Sequence, residues 1–216
     1  MLPRPPNPAR YHLTLLRHGE SVGNAEGKHQ GQSDFPLTAK GEAQAHALAE
    51  RWLNEKKSFD LIISSPLSRA RGTAEILAES LHITLEFNSL WMERNNGLLA
   101  GLRPEEAVIT YPRPPFVHPY LPIGETGESQ WELYLRGGKA VQDLLHHPPG
   151  NYLIVSHGGI LNMVLYAILG ITPQANFYGP RFRFGNTAFA TLSYKPGEHK
   201  WYVHGVNDQA HWQHDE

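Results

Sequence analysis

The sequence predicts an α/β fold with a mainly parallel sheet that is covered by helices. Short apolar runs alternate with longer segments of helical periodicity, which is typical of strands joined by crossover helices. The composition is ordinary for a globular protein, with 40% hydrophobic and 19% charged residues. A chain of 216 residues suffices for one well-buried domain. We therefore expect a single domain over residues 1–216, with one excursion from the sheet at about residues 103–127.

The first strand and the first helix are predicted before residue 55. Residues 11–16 form an apolar run typical of a buried strand. Residues 22–35 are polar and rich in glycine, which predicts a loop. Thr38 is placed to be the N-cap of a helix with Glu42 in its first turn. One apolar face of this helix follows at helical spacing, formed by Ala45, Leu48, Ala49 and Trp52.

A second strand, a second helix and a third strand are predicted next. Residues 59–64 are an apolar strand candidate. Pro66 suits the first turn of a helix that runs to about residue 80, because the N–H that proline lacks would be unpaired there. Residues 82–87 alternate between apolar and polar side chains, which predicts another strand.

The second half of the chain begins with the excursion at residues 103–127. This segment carries six prolines with aromatic residues between them, and we expect it to lie over the rim of the sheet. Residues 152–156 predict the fourth strand, and residues 159–169 predict an apolar helix ended by Gly170. Alternating segments at 187–194 and 201–206 predict a closing hairpin.

Charge and composition exclude several classes of function. Binding to nucleic acid or to an anionic membrane usually requires an excess of positive charge. The formal charge of this chain is −2, so we expect neither partner. Since the chain has no cysteine, disulfides, thiolate metal sites and cysteine nucleophiles are excluded. Residues 1–10 predict an irregular lead-in without a signal peptide, and no apolar run is long enough to span a membrane. We therefore expect a cytoplasmic protein.

Polar groups follow three of the predicted strands. One strand leads into Arg17, His18 and Gly19, another into His157 and Gly158, and the strand ending near Ile63 leads to Arg69. In open α/β sheets, ligands bind outside the carboxyl ends of the strands. These side chains can therefore converge on one crevice, where arginines and free backbone N–H groups suit a phosphate dianion.

An ordered set of motifs resembles the histidine phosphatase superfamily, in its phosphoglycerate-mutase-like branch. The set spans roughly residues 12–211 and comprises Leu16-Arg17-His18-Gly19-Glu20-Ser21-x-x-Asn24, Gln30-Gly31, Asp34-x-Pro36-Leu37-Thr38-x-x-Gly41, Ser64-Ser65-Pro66-Leu67-x-Arg69-Ala70, Glu93-x-x-x-Gly97, Ser156-His157-Gly158 and Asn207-Asp208-x-x-His211. The resemblance implies a three-layer α/β/α sandwich. One departure is the segment Gly97-Leu98-Leu99-Ala100-Gly101, where the family has an aromatic and a polar or acidic residue between the two glycines.

The resemblance also implies a division of labour among these residues. His18 would attack phosphorus and become transiently phosphorylated, while Glu93 would protonate the leaving oxygen and then deprotonate water. Arg17, Arg69 and His157 would hold the equatorial oxygens of the phosphoryl group. The other residues assigned to substrate binding are Asn24, Ser21, Gln30, Gly31 and the backbones of Gly19 and Gly158.

Three functions remain open from the sequence, and none of them calls for a metal or another cofactor. The first is a phosphatase that hydrolyses a small-molecule phosphomonoester. The second is a mutase, which needs a second anionic site; residues 97–136 offer Arg103 and Arg113 separately and no lysine, which favours the phosphatase. The third is a non-catalytic module that binds phosphorylated ligands. No His-Glu-x-x-His or other paired-histidine spacing favours a metal site.

Substrate selectivity is expected to come from residues 111–128. Glu128, Ser129 and Arg136, at the start of the following helix, are further candidates to face the pocket.

Overall fold

The computed structural model describes residues 10–212 and contains a six-stranded sheet of order β3-β2-β4-β1-β5-β6. The strands are β1 (Tyr11–Arg17), β2 (Leu61–Ser64), β3 (Leu85–Phe87), β4 (Asn151–Ser156), β5 (Phe189–Lys195) and β6 (Lys200–Asp208). The first four strands run parallel, whereas β5 is antiparallel to β1, and β6 is antiparallel to β5. The predicted α/β class with a mainly parallel sheet is confirmed.

Six α-helices accompany the strands in the described residues. They are α1 (Val22–Ala25), α2 (Ala39–Asn54), α3 (Ser68–Leu81), α4 (Pro104–Thr110), α5 (Gln130–Leu144) and α6 (Gly158–Leu169). Thr38 caps α2 by accepting the N–H of Gly41, and Gly170 ends α6 in the left-handed region at φ 68°, both as predicted.

The four longer helices, α2, α3, α5 and α6, form two layers, one on each face of the sheet. Alternation along β4 explains the division, because neighbouring side chains on a strand point to opposite faces. Leu153 packs in a core with Trp52 of α2 and Leu77 of α3. Ile154 belongs to the opposite core, which α5 and α6 close with buried side chains that include Leu144 and Leu161. The three-layer α/β/α sandwich is therefore confirmed.

The prediction that Pro66 opens a helix was wrong. The helix α3 begins at Ser68, after Leu67 in an extended conformation. The preceding turn is held by Ser65, whose hydroxyl oxygen accepts the N–H of Leu67 at 3.3 Å and lies 2.8 Å from His157 Nε2. Ser65 also donates its backbone N–H to the carbonyl of Val155 at 3.0 Å, so this turn is tied to the end of β4.

The predicted loop at residues 22–35 contains a short helix. Ser21 and Asn24 form a reciprocal capping box at the start of α1, a signal that the glycines of the segment obscured. Two strands are also shorter than predicted: β2 starts at Leu61, and β3 starts at Leu85 because His82 ends α3 in the left-handed region. The closing hairpin is present as β5 and β6.

The segment 103–127 contains α4 and no strand. It is tied to the segment after α6, since Asn176 donates its backbone N–H to the carbonyl of Val117 and accepts the N–H of Val117 at its side-chain oxygen. Residues 1–9 of the predicted lead-in lie outside the described residues. Within residues 10–212, no helix is both long and apolar enough to cross a membrane.

Candidate active site

His18 lies just beyond β1 and is almost completely buried, with 3% of its surface exposed. Its Nδ1 is 2.6 Å from the carbonyl oxygen of Gly19. Because a carbonyl can only accept, Nδ1 carries the proton, and the lone pair of a neutral ring is therefore on Nε2. Burial, together with the charges of Arg17 and Arg69, holds the pKa of His18 well below its usual value, so the ring is neutral near pH 7. The geometry provides a fixed and unprotonated nitrogen.

Two arginines flank this ring from different elements. Arg17, the last residue of β1, donates from one terminal nitrogen to the carbonyl of Phe184 at 2.7 Å. Arg69, in the first turn of α3, donates to the carbonyls of Ser33 and Gly31 at 3.0 and 2.7 Å. Burial lowers the pKa of Arg69 to about 10, so it remains charged at pH 7. These bonds fix both guanidinium groups and leave further N–H donors on each.

His157 lies beside His18 and is fully buried, with the two ring centroids 5.0 Å apart. Its Nε2 is paired with the hydroxyl of Ser65, whereas its Nδ1 has no partner among the described residues. Burial and the nearby His18, Arg69 and Arg17 hold the pKa of His157 well below its usual value. Two neutral imidazoles therefore lie side by side among cationic groups.

Glu93 is anchored at the N-terminus of α6. Its Oε1 accepts the N–H groups of Arg94 and Ile160 at 2.8 and 3.1 Å, and its Oε2 accepts the N–H of Gly159 at 2.9 Å. The first-turn N–H groups of a helix have no intrahelical partner, so the carboxylate satisfies two of them. Each carboxylate oxygen can accept two hydrogen bonds, so one acceptor position of Oε2 is left free.

A cavity of about 280 Å³ lies between these groups. It is lined by Arg17, His18, Arg69 and Glu93, together with the predicted Gln30, Gly31 and Gly158. Gly158 is open to the cavity, since the nearest atom to a Cβ built there is Arg17 Cδ at 4.0 Å. Donors predominate among its lining side chains, which suits an anionic ligand.

Gly19, Ser21, Asn24 and His157 do not line this cavity. Gly19 was expected to offer its N–H to an anion, but that N–H donates to Thr73 Oγ1 at 3.0 Å. A Cβ on Gly19 would also lie 2.5 Å from the carbonyl oxygen of Gly41, so packing between loop and helix explains this glycine. Ser21 and Asn24 instead cap α1. His157 lies behind the lining, next to His18.

Sequence reasoning missed several residues that support the site. Thr73 holds Gly19, and Asn186 donates its side-chain N–H both to the carbonyl of His18 and to Asn24 Oδ1, at 3.2 Å in each case. Arg94 lines the cavity directly after Glu93 in the chain. Of these residues, only Arg94 could have been predicted from the sequence, because it directly follows the candidate acid Glu93. The other contacts join residues more than 50 positions apart, and no local pattern reveals them.

Glu128, Ser129 and Arg136 do not line the cavity either, although they support it. Arg136 binds the carboxylate of Glu128 through two nitrogens at 2.8 and 2.7 Å and donates to the carbonyls of Leu90, Met92 and Glu93. Ser129 caps α5. This network fixes the backbone that carries Glu93. Among the described residues, no group of three histidine, aspartate or glutamate side chains is arranged to hold a metal ion.

Comparison with known proteins adds a family match. The model of the histidine phosphatase superfamily, branch 1, matches residues 13–209. The chain is 34% identical over 207 residues to a probable phosphoglycerate mutase, GpmB, of Yersinia enterocolitica, covering 91% of this chain and 93% of the relative. It is 32% identical to an uncharacterized phosphatase, PhoE, of Bacillus subtilis over 199 residues, covering 92% and 95%.

A solved structure with the same fold has a bound ligand. It is a mutant phosphoserine phosphatase from Entamoeba histolytica in complex with phosphoserine. The superposition has a TM-score of 0.75 at 26% identity and covers 94% of this chain and all of the other.

Proposed function

The chain belongs to the histidine phosphatase superfamily, and from that premise we propose that it hydrolyses a small phosphomonoester through a phosphohistidine on His18. The observation that carries the proposal is the state of His18. The ring is buried and neutral, and its Nδ1 proton is held by the Gly19 carbonyl, so the nucleophilic lone pair is on Nε2. The ring lies next to a cavity whose cationic side chains suit a phosphate dianion.

The reaction would proceed in two displacements. In the first, Nε2 of His18 bonds to phosphorus, and the bond from phosphorus to the alcohol oxygen breaks. In the second, a water oxygen bonds to phosphorus, and the N–P bond breaks to give inorganic phosphate. Splitting one transfer into two lets the same buried groups stabilise both transition states.

Arg17, Arg69 and His157 would stabilise the charge on the transferring phosphoryl oxygens. Both arginines are held by backbone carbonyls and cost little reorganisation when the charge develops. The Nε of Arg69 and the Nδ1 of His157 are buried without a partner among residues 10–212. Unpaired buried polar atoms are costly unless a ligand completes them. Arg69 Nε is a donor and supports an anion here, and His157 Nδ1 would donate to an anion in the tautomer whose Nε2 accepts the hydroxyl proton of Ser65.

Glu93 would serve as the acid for the first step and the base for the second. Since the backbone already uses both acceptor positions of Oε1 and one of Oε2, the transferred proton would be carried on Oε2. The proton passes to the alcohol oxygen as that oxygen leaves, and a proton returns from water in the second step.

Phosphoglycerate-mutase-type transfer is the second candidate. The relative named as a probable phosphoglycerate mutase and an arginine-lined cavity beside the first one favour it. The relative named as a phosphatase and the phosphoserine phosphatase structure favour hydrolysis. Of the two arginines in the segment 103–127, only Arg113 lines that second cavity, whereas Arg103 is the N-cap residue of α4.

The deciding experiment supplies the purified protein with 4-nitrophenyl phosphate and, separately, with 3-phosphoglycerate. We expect inorganic phosphate from the aryl ester, and glycerate rather than 2-phosphoglycerate from the acid if it is turned over. His18→Ala should abolish release, whereas His46→Ala, on the exposed face of α2, should retain it. Conversion to 2-phosphoglycerate without phosphate release would establish the mutase. No turnover of any ester would favour a module that only binds phosphorylated ligands.

We also propose that catalysis needs no metal and takes place in the cytoplasm. Arg17 and Arg69 would supply the positive charge that a divalent cation supplies in other phosphoryl-transfer sites. Turnover that persists after EDTA treatment and dialysis would agree with this, and restoration of a lost activity by added Mg²⁺ would contradict it.

A further inference from the structure

A second cavity, of about 540 Å³, adjoins the catalytic one. Both cavities are lined by Arg94, Gly158 and Gly159, so the two spaces meet at the N-terminus of α6. If the phosphate of a ligand lies beside His18, the rest of the ligand would pass these residues and enter the second cavity. The second space is of the size that holds small organic ligands and exceeds what a single phosphate fills.

The second cavity is lined by four arginines: Arg94, Arg113, Arg181 and Arg183. No carboxylate lines it within the part of the chain that the structure describes. Arg113, Arg181 and Arg183 form no ion pair with any residue between positions 10 and 212. Burial lowers the pKa of Arg94, the carboxylates of Glu93 and Glu128 partly offset this, and the charges of Arg113 and Arg181 lower the pKa further.

The positive charge of the two spaces exceeds what a phosphomonoester neutralises. Six arginines line them, together with Lys28, which is paired with Glu26, and Glu93 is the single carboxylate among the lining residues. One phosphate carries about two negative charges. The protein as a whole has a formal charge of −2, so this concentration is local. Arg113, Arg181 and Arg183 are exposed, so water and salt screen part of their mutual repulsion, and an anion bound among them would remove the remainder.

The segment that supplies two of the arginines is held in place by side chains of α6. Asn162 accepts the N–H of Phe182 at 2.8 Å and donates to its carbonyl at 2.9 Å, which fixes the residue between Arg181 and Arg183. The hydroxyl of Tyr166 donates to the carbonyl of Pro180 at 2.6 Å. A Cβ on Gly179 would overlap that hydroxyl, so a larger residue there would have to displace the Tyr166 ring.

Phe177 forms an apolar wall of the cavity beneath two of the arginines. The guanidinium carbons of Arg94 and Arg113 lie 5.9 and 5.7 Å from its ring centroid. Asn176 and Phe177 both have left-handed backbone, at φ 54° and 57°, which is costly for residues other than glycine. The hydrogen bonds between Asn176 and Val117 hold this conformation. Strain of this kind persists at functional sites when the surroundings enforce it.

We propose that the alcohol portion of the substrate carries a second anionic group, a carboxylate or a phosphate, bound by Arg94, Arg113, Arg181 and Arg183. This inference rests on the proposed function, because it places the reacting phosphate beside His18. It adds that the specificity-determining residues include the segment between α6 and β5, beyond residues 111–128. A carbon skeleton between the two anions would lie against Phe177.

The test measures binding of analogues that cannot be hydrolysed, so that it does not depend on turnover. The probes are (4-carboxybenzyl)phosphonate, its neutral amide (4-carbamoylbenzyl)phosphonate, and 1,4-xylylene bisphosphonate. We expect calorimetry to show the carboxylate or the bisphosphonate binding at least tenfold more tightly than the amide, because each charge-assisted hydrogen bond contributes to the difference. The tighter of the two identifies the anion that the site prefers.

Substitutions test whether Arg181 and Arg183 cause the preference for a second anionic group. The double variant Arg181→Gln/Arg183→Gln should reduce the ratio of affinities about tenfold. The matched control Arg71→Gln removes an exposed arginine of α3 that lies over Phe87 and should leave the ratio unchanged. Equal affinities for all three probes, no binding of any probe, or a preference that survives the double variant would overturn the inference. Hydrolysis of aryl phosphates together with equal affinities would leave the proposed function standing without it.

Discussion

The side chain of Glu93 both stabilises the N-terminus of α6 and lines the cavity beside His18. Its carboxylate satisfies the free N–H groups at the start of α6 and reaches the same cavity as His18. Arg136 holds the carbonyl of Glu93 and thereby fixes the backbone at that point. The carboxylate is therefore placed by helix α6 and helix α5 together, although it belongs to a loop.

The acid role of Glu93 predicts a dependence on the leaving group. We expect Glu93→Gln to lower kcat/KM, which reports the first displacement, by about 10²- to 10⁴-fold for an alkyl phosphate such as glycerol 3-phosphate. The loss of kcat/KM for 4-nitrophenyl phosphate should be much smaller, because nitrophenolate leaves without a proton, whereas kcat for both esters also contains the hydrolysis of phospho-His18, which needs Glu93 as base. Steady-state kinetics with both esters measure the difference.

The control for this variant is Glu50→Gln, on the exposed face of α2, which should leave both rates unchanged. An equal loss of kcat/KM for the two esters in Glu93→Gln would indicate that the substitution disturbs α6 rather than removes an acid.

At the scale of elements, the loop that carries His18 is positioned by its contact with α2. The carbonyl of Glu20 accepts the N–H of Thr38, and Gly19 packs against Gly41 in the first turn of that helix. A Cβ on Gly41 would overlap the carbonyl oxygen of Glu20. The glycines at positions 19 and 41 thus permit a close approach that sets where the strand end lies.

This contact predicts that Gly41→Ala destabilises the protein and lowers kcat. Overpacking of this kind costs about 1–3 kcal/mol, and here the displaced atoms are backbone of the loop that follows His18. The matched control is Gly138→Ala in α5, where the nearest atom to the new Cβ is Ala167 Cβ at 3.8 Å.

Since alanine favours helix over glycine, the Gly138→Ala control should gain up to about 1 kcal/mol and keep its activity. Urea unfolding and 4-nitrophenyl phosphate turnover measure both variants. Normal stability and rate in Gly41→Ala would show that the loop adjusts at no cost.

The elements also show what could be predicted from the sequence. Strand-end placement correctly predicted that Arg17, His18 and Arg69 meet at one edge, because parallel strands present their carboxyl ends together. The residues that hold the site, such as Thr73 and Asn186, were missed, since their partners are distant in the chain. The arginines at 181 and 183 were missed for the same reason. They lie in an irregular segment whose course depends on Asn162 and Tyr166 of α6.

At the scale of the whole molecule, several histidines are buried in the neutral form. Burial and adjacent arginines hold the pKa of His18 well below 6.5, and burial with the neighbouring His18 and arginines does the same for His157. Burial also lowers the pKa of His211 to about 4. In the unfolded chain each of these groups would titrate near 6.5.

These histidines predict acid sensitivity with a definite onset. Below pH 6.5 the unfolded chain binds protons that the folded protein does not, so stability is complete above pH 6.5 and falls as the pH decreases. Each such proton contributes a slope of about 1.4 kcal/mol per pH unit. Urea midpoints between pH 7.5 and 5 should therefore fall progressively.

Two variants isolate this effect from the titration of carboxylates. His211→Gln should reduce the slope, whereas His46→Gln, at an exposed position, should not change it. A midpoint constant from pH 7.5 to 5 would contradict the account of neutral buried histidines.

The central claim is that His18 becomes phosphorylated during turnover, and rapid acid-free quenching tests it most directly. The protein is mixed with a ³²P-labelled phosphomonoester that it hydrolyses, quenched in alkali within milliseconds, and digested for mass spectrometry. We predict an alkali-stable, acid-labile phosphate on the peptide containing His18, which unlabelled substrate chases off and which Glu93→Gln retains for longer. Turnover with no label on that peptide, or label on another residue, would contradict the mechanism.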